Sequence, residues 1–131
     1  MTIKTSSAKA KGRRLQNFIR DLILEKFPWL GEGDVESTSM GSSGVDIPLS
    51  PLGRRTIPIS IEAKKTKKHP AVAEMKQASE NAYSMTIPAV VWCPHGSGHA
   101  KSMITFNLDD FLEWYKDIRE GYLERIREQE G

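Results

Sequence analysis

Between Ala8 and Phe27, Leu15, Phe18, Ile19, Leu22 and Ile23 recur at helical spacing, so this segment is expected to be an α-helix with one apolar stripe, closed by Pro28 and Gly31. The pattern then shortens. Residues 35–40 form a weak strand candidate, Ser39 to Gly44 a loop of small residues, Val45 to Leu49 a short strand, and Ser50 to Thr56, with Pro51 and Gly53, a hairpin-like connection. Ile57 to Lys64 is the clearest strand: Ile57, Ile59 and Ile61 share one parity, and Ser60, Glu62 and Lys64 share the other. Alternate residues of a strand share a face, so the isoleucines are expected in the core and Glu62 and Lys64 side by side on the opposite face.

Lys65 to Pro70 reads as a basic turn and Pro70 to Tyr83 as a helix with proline in its first turn. Ile87 to Trp92 is an apolar, buried strand, Pro94 to His99 a connection, and Met103 to Phe106 the last strand. A final helix begins at Asn107 or Leu108, with Asp109 and Asp110 near its positive end. Phe111, Leu112, Trp114, Tyr115 and Ile118 are expected to pack it, and Gly121 to break it before a charged tail. The order α-β-β-β-α-β-β-α describes an α/β fold, a mixed β-sheet flanked by helices. Along the chain it divides into a flexible basic arm over 1–8, a domain over 9–118 and a charged helix or tail over 119–131.

Composition adds charge placement rather than bulk charge. The net charge of the 131 residues is only +2, but residues 1–20 carry Lys4, Lys9, Lys11, Arg13, Arg14 and Arg20 with no acid. A second basic cluster, Arg54, Arg55, Lys64, Lys65, Lys67, Lys68 and Lys76, is opposed only by Glu62 and Glu74. Such polarity presents a basic face to a polyanion. The single Cys93 excludes an intramolecular disulfide and fits a reducing compartment. No stretch approaches the roughly 20 apolar residues of a membrane span, and the basic start lacks the apolar core of a secretory signal, so the expected location is cytoplasmic, with no membrane partner.

Asp46, Glu62 and Lys64 carry the chemistry. Two carboxylates on adjacent strands with an ammonium beside one of them suit a divalent cation and an activated water, and hence phosphodiester hydrolysis. Cys93, His95 and His99 do not have the spacing of a structural zinc site and lack a fourth ligand.

Asp46 followed by Glu62-Ala63-Lys64 at the end of an apolar strand, with a helix before and a helix after, resembles the PD-(D/E)XK nuclease superfamily. Lys11-Gly12-Arg13-Arg14-Leu15-Gln16, Gly44-Val45-Asp46-Ile47 and Pro58-Ile59-Ser60-Ile61-Glu62-Ala63-Lys64 look like small phage and archaeal-type Holliday-junction resolvases, over roughly residues 9–112. The resemblance implies a restriction-endonuclease-like core. It implies Asp46, Glu62 and the Ala63 carbonyl as ligands of Mg²⁺, with Mn²⁺ as a substitute, and Lys64 as the group that orients water or offsets phosphorane charge. Archaeal-type enzymes carry a glutamate on the first helix; Gln16 stands at the matching position and adds no negative charge. Related nucleases place a glutamine on the helix after the catalytic strand, which points to Gln77, although the spacing to Tyr83 departs from theirs.

The expected substrate is branched DNA, with the four-way junction leading, cut by a homodimer whose symmetry matches the junction in a phage-infected or bacterial cell. Lys9, Lys11, Arg13, Arg14, Arg54, Arg55, Lys65, Lys67 and Lys68 are the expected phosphate contacts, and Ser43, in the small-residue loop, offers a backbone approach to a phosphate. Two other readings share these residues: a repair or restriction-like nuclease on the same scaffold, and a nucleic-acid-binding module with an inactive core.

Overall fold

The long N-terminal helix α1 (Thr2–Lys26) buries Leu15, Ile19 and Ile23, successive residues one turn apart, against a sheet. The computed structural model describes residues 2–38, 44–69 and 72–131, with side chains from residue 7 onward. Ser43 and the rest of 39–43, and the expected helix start at Pro70, lie outside the described residues. The helix begins at Thr2 rather than near Ala8, so it takes in most of the segment expected as an arm. Leu22 falls off the buried stripe and is exposed.

The sheet contains β1 (Ile59–Thr66), β2 (Ile87–Pro94) and β3 (Met103–Phe106) in the order β1-β2-β3. β1 and β2 run parallel, with Glu62 beside Val90 and Lys64 beside Trp92, while β3 is antiparallel to β2. Helix α3 (Val72–Asn81) makes the crossover that a parallel pair requires. The fold is α/β, a three-stranded mixed sheet with flanking helices. Ile59, Ile61, Ala89, Val91 and Cys93 face α1 and form the core with Leu30, Val35, Ile47 and Leu49.

Three elements differ from the sequence expectation. Residues 35–38 and 46–49 do not form full strands. They lie antiparallel through Glu36 N–H to Pro48 O at 3.0 Å and Thr38 N–H to Asp46 O at 3.1 Å, with one bridge at Val35 and Leu49. The expected hairpin at 50–56 is a helix, α2 (Pro51–Thr56): Ser50 Oγ accepts from Gly53 N–H at 3.0 Å and Pro51 opens the first turn, a good N-terminal cap. Ser50 also donates to Asp34 Oδ1 at 2.7 Å, and Gly31 N–H donates to Oδ2 at 2.8 Å. These two bonds hold the Asp34 carboxyl below its ordinary value.

The last helix, α4 (Leu108–Glu130), passes through Gly121 without a break and includes the segment expected as a tail. Of the residues expected to pack it, only Trp114 reaches the core; Phe111, Leu112, Tyr115 and Ile118 are exposed. Among the described residues no helix is long and apolar enough to cross a membrane.

Candidate active site

Glu62 lies in the middle of β1, on the face that α3 covers, and is only 2% exposed. The sheet is covered on both sides, so the polar parity of β1 does not meet open solvent as the alternation alone implied. Ser60 is buried on the same face, where it accepts from Tyr83 N–H at 3.0 Å and shares a hydrogen bond with Thr86 at 2.7 Å. A buried carboxylate needs donors, and Asn81, at the end of α3, donates from Nδ2 to Glu62 Oε1 at 3.1 Å.

Asp46 comes from the irregular segment that runs along the free edge of β1. Its N–H donates to Ile61 O at 3.1 Å, and its Oδ2 accepts from Ala63 N–H at 2.8 Å. The carboxylate thus takes the place of a neighbouring strand's carbonyl, which pins it at the level of Glu62 and Lys64. Burial pushes the Glu62 carboxyl above its ordinary value; the Asn81 hydrogen bond opposes this, the Asp46 carboxylate adds to it, and the Lys64 ammonium opposes it. Asp46, Glu62 and Lys64 therefore sense one another electrostatically. Lys64 is half-buried and makes no hydrogen bond or ion pair among the described residues, so its ammonium is available to an incoming group.

Gln16, expected at the site from the first helix, is 2% exposed and accepts from Ser37 Oγ at 3.2 Å. Gln77 stands on the exposed side of α3. The α3 residue that reaches Glu62 is Asn81, three positions from the buried Ala78 and hence on its face. That spacing is the sequence signal for Asn81. Ser37 had no signal, because its partner Gln16 is distant in sequence.

The expected phosphate contacts divide. Lys9, Lys11, Arg13, Arg14, Arg55, Lys67 and Lys68 are exposed. Arg54 is half-buried and occupied: it donates to Leu49 O at 2.6 Å and lies over the Tyr83 ring at 4.5 Å. Lys65 is also occupied, at the end of β2.

The donor set here is the carboxylates of Glu62 and Asp46 and the peptide carbonyl of Ala63, all hard oxygen donors suited to Mg²⁺ or Mn²⁺. Burial raises Glu62 and the Asp46 carboxylate adds to it; a cation offsets both, so the residues present fit such an ion. Among the described residues no cluster of three His, Cys, Asp or Glu side chains could hold a metal. In comparisons with known proteins, no family model, no curated protein and no solved structure matches the chain.

Proposed function

We propose that the chain is a metal-dependent endonuclease of the PD-(D/E)XK type, a Holliday-junction resolvase that hydrolyses phosphodiester bonds in branched DNA. The observation that carries this reading is the bond from Ala63 N–H to Asp46 Oδ2, which holds the second carboxylate beside Glu62 and Lys64. A surface Glu–Lys pair next to a turn aspartate would show neither the burial of Glu62 nor this lock.

Asp46, Glu62 and the Ala63 carbonyl are the groups that would hold Mg²⁺ or Mn²⁺. Bound there, the ion supplies Lewis-acid polarisation of the phosphodiester and an acidified water. Two carboxylates are the usual number for Mg²⁺, which keeps several waters and takes the rest of its shell from phosphate. Lys64 contributes a proton donor and a positive charge where the phosphorane develops negative charge. Asn81 holds Glu62 in one rotamer and favours its ionised form. Gln16 and Ser37 buttress the α1 side without adding charge. Exposed Lys9, Lys11, Arg13, Arg14, Arg55, Lys67 and Lys68 are then phosphate contacts, which position DNA without reading its sequence. This agrees with selection by structure.

The test is incubation of four-way, forked and linear duplex DNA with Mg²⁺ and with EDTA. Paired symmetric nicks on the four-way junction, absent in EDTA, are the expected result. Equal cutting of all three substrates means a general nuclease on this scaffold. Binding without cutting in either Mg²⁺ or Mn²⁺ means an inactive binding module. Asp46→Asn, Glu62→Gln and Lys64→Ala are each expected to lower cleavage by about a hundredfold or more, with junction binding retained. Full activity in any of them removes that residue from the site.

A further inference from the structure

Lys65 leaves β1 on the face opposite Glu62 and Lys64, because neighbouring residues alternate across a strand. Its ammonium donates to Cys93 Sγ at 3.1 Å, Pro94 O at 3.1 Å and Ser97 O at 2.8 Å. An ammonium has three protons, so all are spent on neutral acceptors. No carboxylate pairs with it among the described residues. Around it, Lys11 and Arg14 of α1 and His95, Ser97 and His99 of the β2–β3 connection line a cavity of about 460 Å³, with no acidic residue in its wall among the described residues. Lys11 and Arg14 are exposed and likewise form no ion pair among the described residues.

The two histidines are not equivalent. His95 Nε2 lies 3.0 Å from Lys65 O. A carbonyl only accepts, so Nε2 is the donor in this contact. His99 packs its ring on Phe18 with centroids 5.2 Å apart. Burial, the Lys65 charge and the Arg14 charge hold its imidazole below the ordinary histidine range. The charged and titratable groups around it are Lys11 and Arg14 from α1, Lys65 from β1 and His95 from its own connection, every one cationic or neutral. Concentrated positive charge without a counter-ion, with an arginine fork at the rim, is the chemistry that takes a phosphate.

We propose that this cleft is a phosphate-binding site separate from the carboxylate site, in which Lys11 and Arg14 contact the anion and Lys65 and His99 supply charge from its inner wall. A nucleic-acid backbone and a free phosphate ion share this chemistry. The site does not depend on cleavage at Glu62. Besides burial, the charges that depress His99 are ones an anion neutralises, so binding raises the affinity of His99 for a proton, and a phosphodiester strand, whose own charge does not change, is held more tightly at pH 6 than at pH 8.

The experiment follows the imidazole C–H resonances by NMR as pH is varied, in EDTA so that the carboxylate site plays no part. One arm adds inorganic phosphate and the other a short oligothymidylate. His99 is expected to move its titration midpoint up by about one pH unit with at least one of them. A response to the oligonucleotide alone assigns the site to a nucleic-acid strand; a response to the free ion shows that phosphate itself suffices. The double variant Lys11→Gln/Arg14→Gln, at exposed positions that leave the fold intact, should lose the response, and His99→Gln should retain binding but lose much of its pH dependence. A His99 midpoint unmoved in both arms overturns the proposal, as does a shift that persists undiminished in the double variant. Cleavage of junctions with Mg²⁺ is a separate readout, so either reading can fail alone.

Discussion

Glu62 is a buried acid whose neighbours pull in both directions. Its carboxyl is raised in the folded chain above the ordinary 4.5. For a raised acid, the contribution that favours folding is complete below the ordinary value and is lost as pH climbs through the folded one. Without divalent cation, Glu62→Gln is therefore expected to raise the melting temperature at pH 8, with the gain shrinking toward pH 4. Thermal melts in EDTA at the two pH values check this; a gain that does not depend on pH would rule out ionisation as its cause. Adding Mn²⁺ should stabilise the wild type and not the variant. Asn81→Ala has the opposite sign. It removes the donor that favours ionised Glu62, so it should cost about 1–3 kcal/mol, more at pH 8 than at pH 5, measured by urea titration in EDTA. At this scale the side-by-side placement of Glu62 and Lys64 on β1 was readable from parity. Asn81 was not chosen, because identifying it required knowing which face of α3 meets the sheet.

The element that follows the Asp46 segment is α2, which carries the chain from Leu49 back to β1. Its cap, Ser50, is tied to both Gly53 and Asp34. Gly53 is buried where a Cβ would stand 2.7 Å from Asp34 O and 3.2 Å from Leu49 Cβ. Backbone and buried side chain cannot both yield there. Gly53→Ala is expected to cost about 2 kcal/mol and Ser50→Ala about 1 kcal/mol, read from urea unfolding. Junction cleavage should fall with Gly53→Ala, since Leu49 and Asp46 share one short segment. A neutral Gly53→Ala would mean that the segment from Asp34 to Gly53 relaxes freely. The pattern Ser-Pro-Leu-Gly at 50–53 carries both a turn signal and a helix-start signal; the choice between them is made by Asp34, which is distant in sequence and accepts the Ser50 hydroxyl.

At the scale of the whole molecule, α4 exposes an apolar stripe. Leu108, Phe111, Tyr115, Ile118 and Tyr122 follow each other along α4 at alternating steps of three and four, and all are exposed. Met103 and Ile104 of the edge strand β3 are exposed as well. This spacing is the seam by which helices pair, and an edge strand with apolar side chains invites a partner. On the proposed reading, a second copy would pair through this stripe to match a twofold junction. Light scattering should give twice the 14.7 kDa chain mass, and Ile118→Glu should shift the population to monomer and convert paired nicks into single ones. A wild type that stays monomeric at micromolar concentration would discard the dimer.

Local pattern was enough for α1, β1, β2, β3 and the start of α4, because each has a run whose period matches its structure and an apolar face that only burial satisfies. It was enough also to make Glu62 and Lys64 neighbours on one face of β1, but Asp46 joins them only through its long-range bonds to Ile61 and Ala63. Pairing across the chain decided the rest. The 35–38 and 46–49 segments are held by hydrogen bonds to each other and to β1 rather than by their own propensity. Glu62 is buried because α3 returns over a face that alternation marks as polar. Lys65 and His99 meet only because parallel pairing brings the end of β1 alongside the end of β2. Sequence periodicity reports which face of an element is apolar; what lies opposite that face depends on long-range contacts, and no short window of sequence contains them.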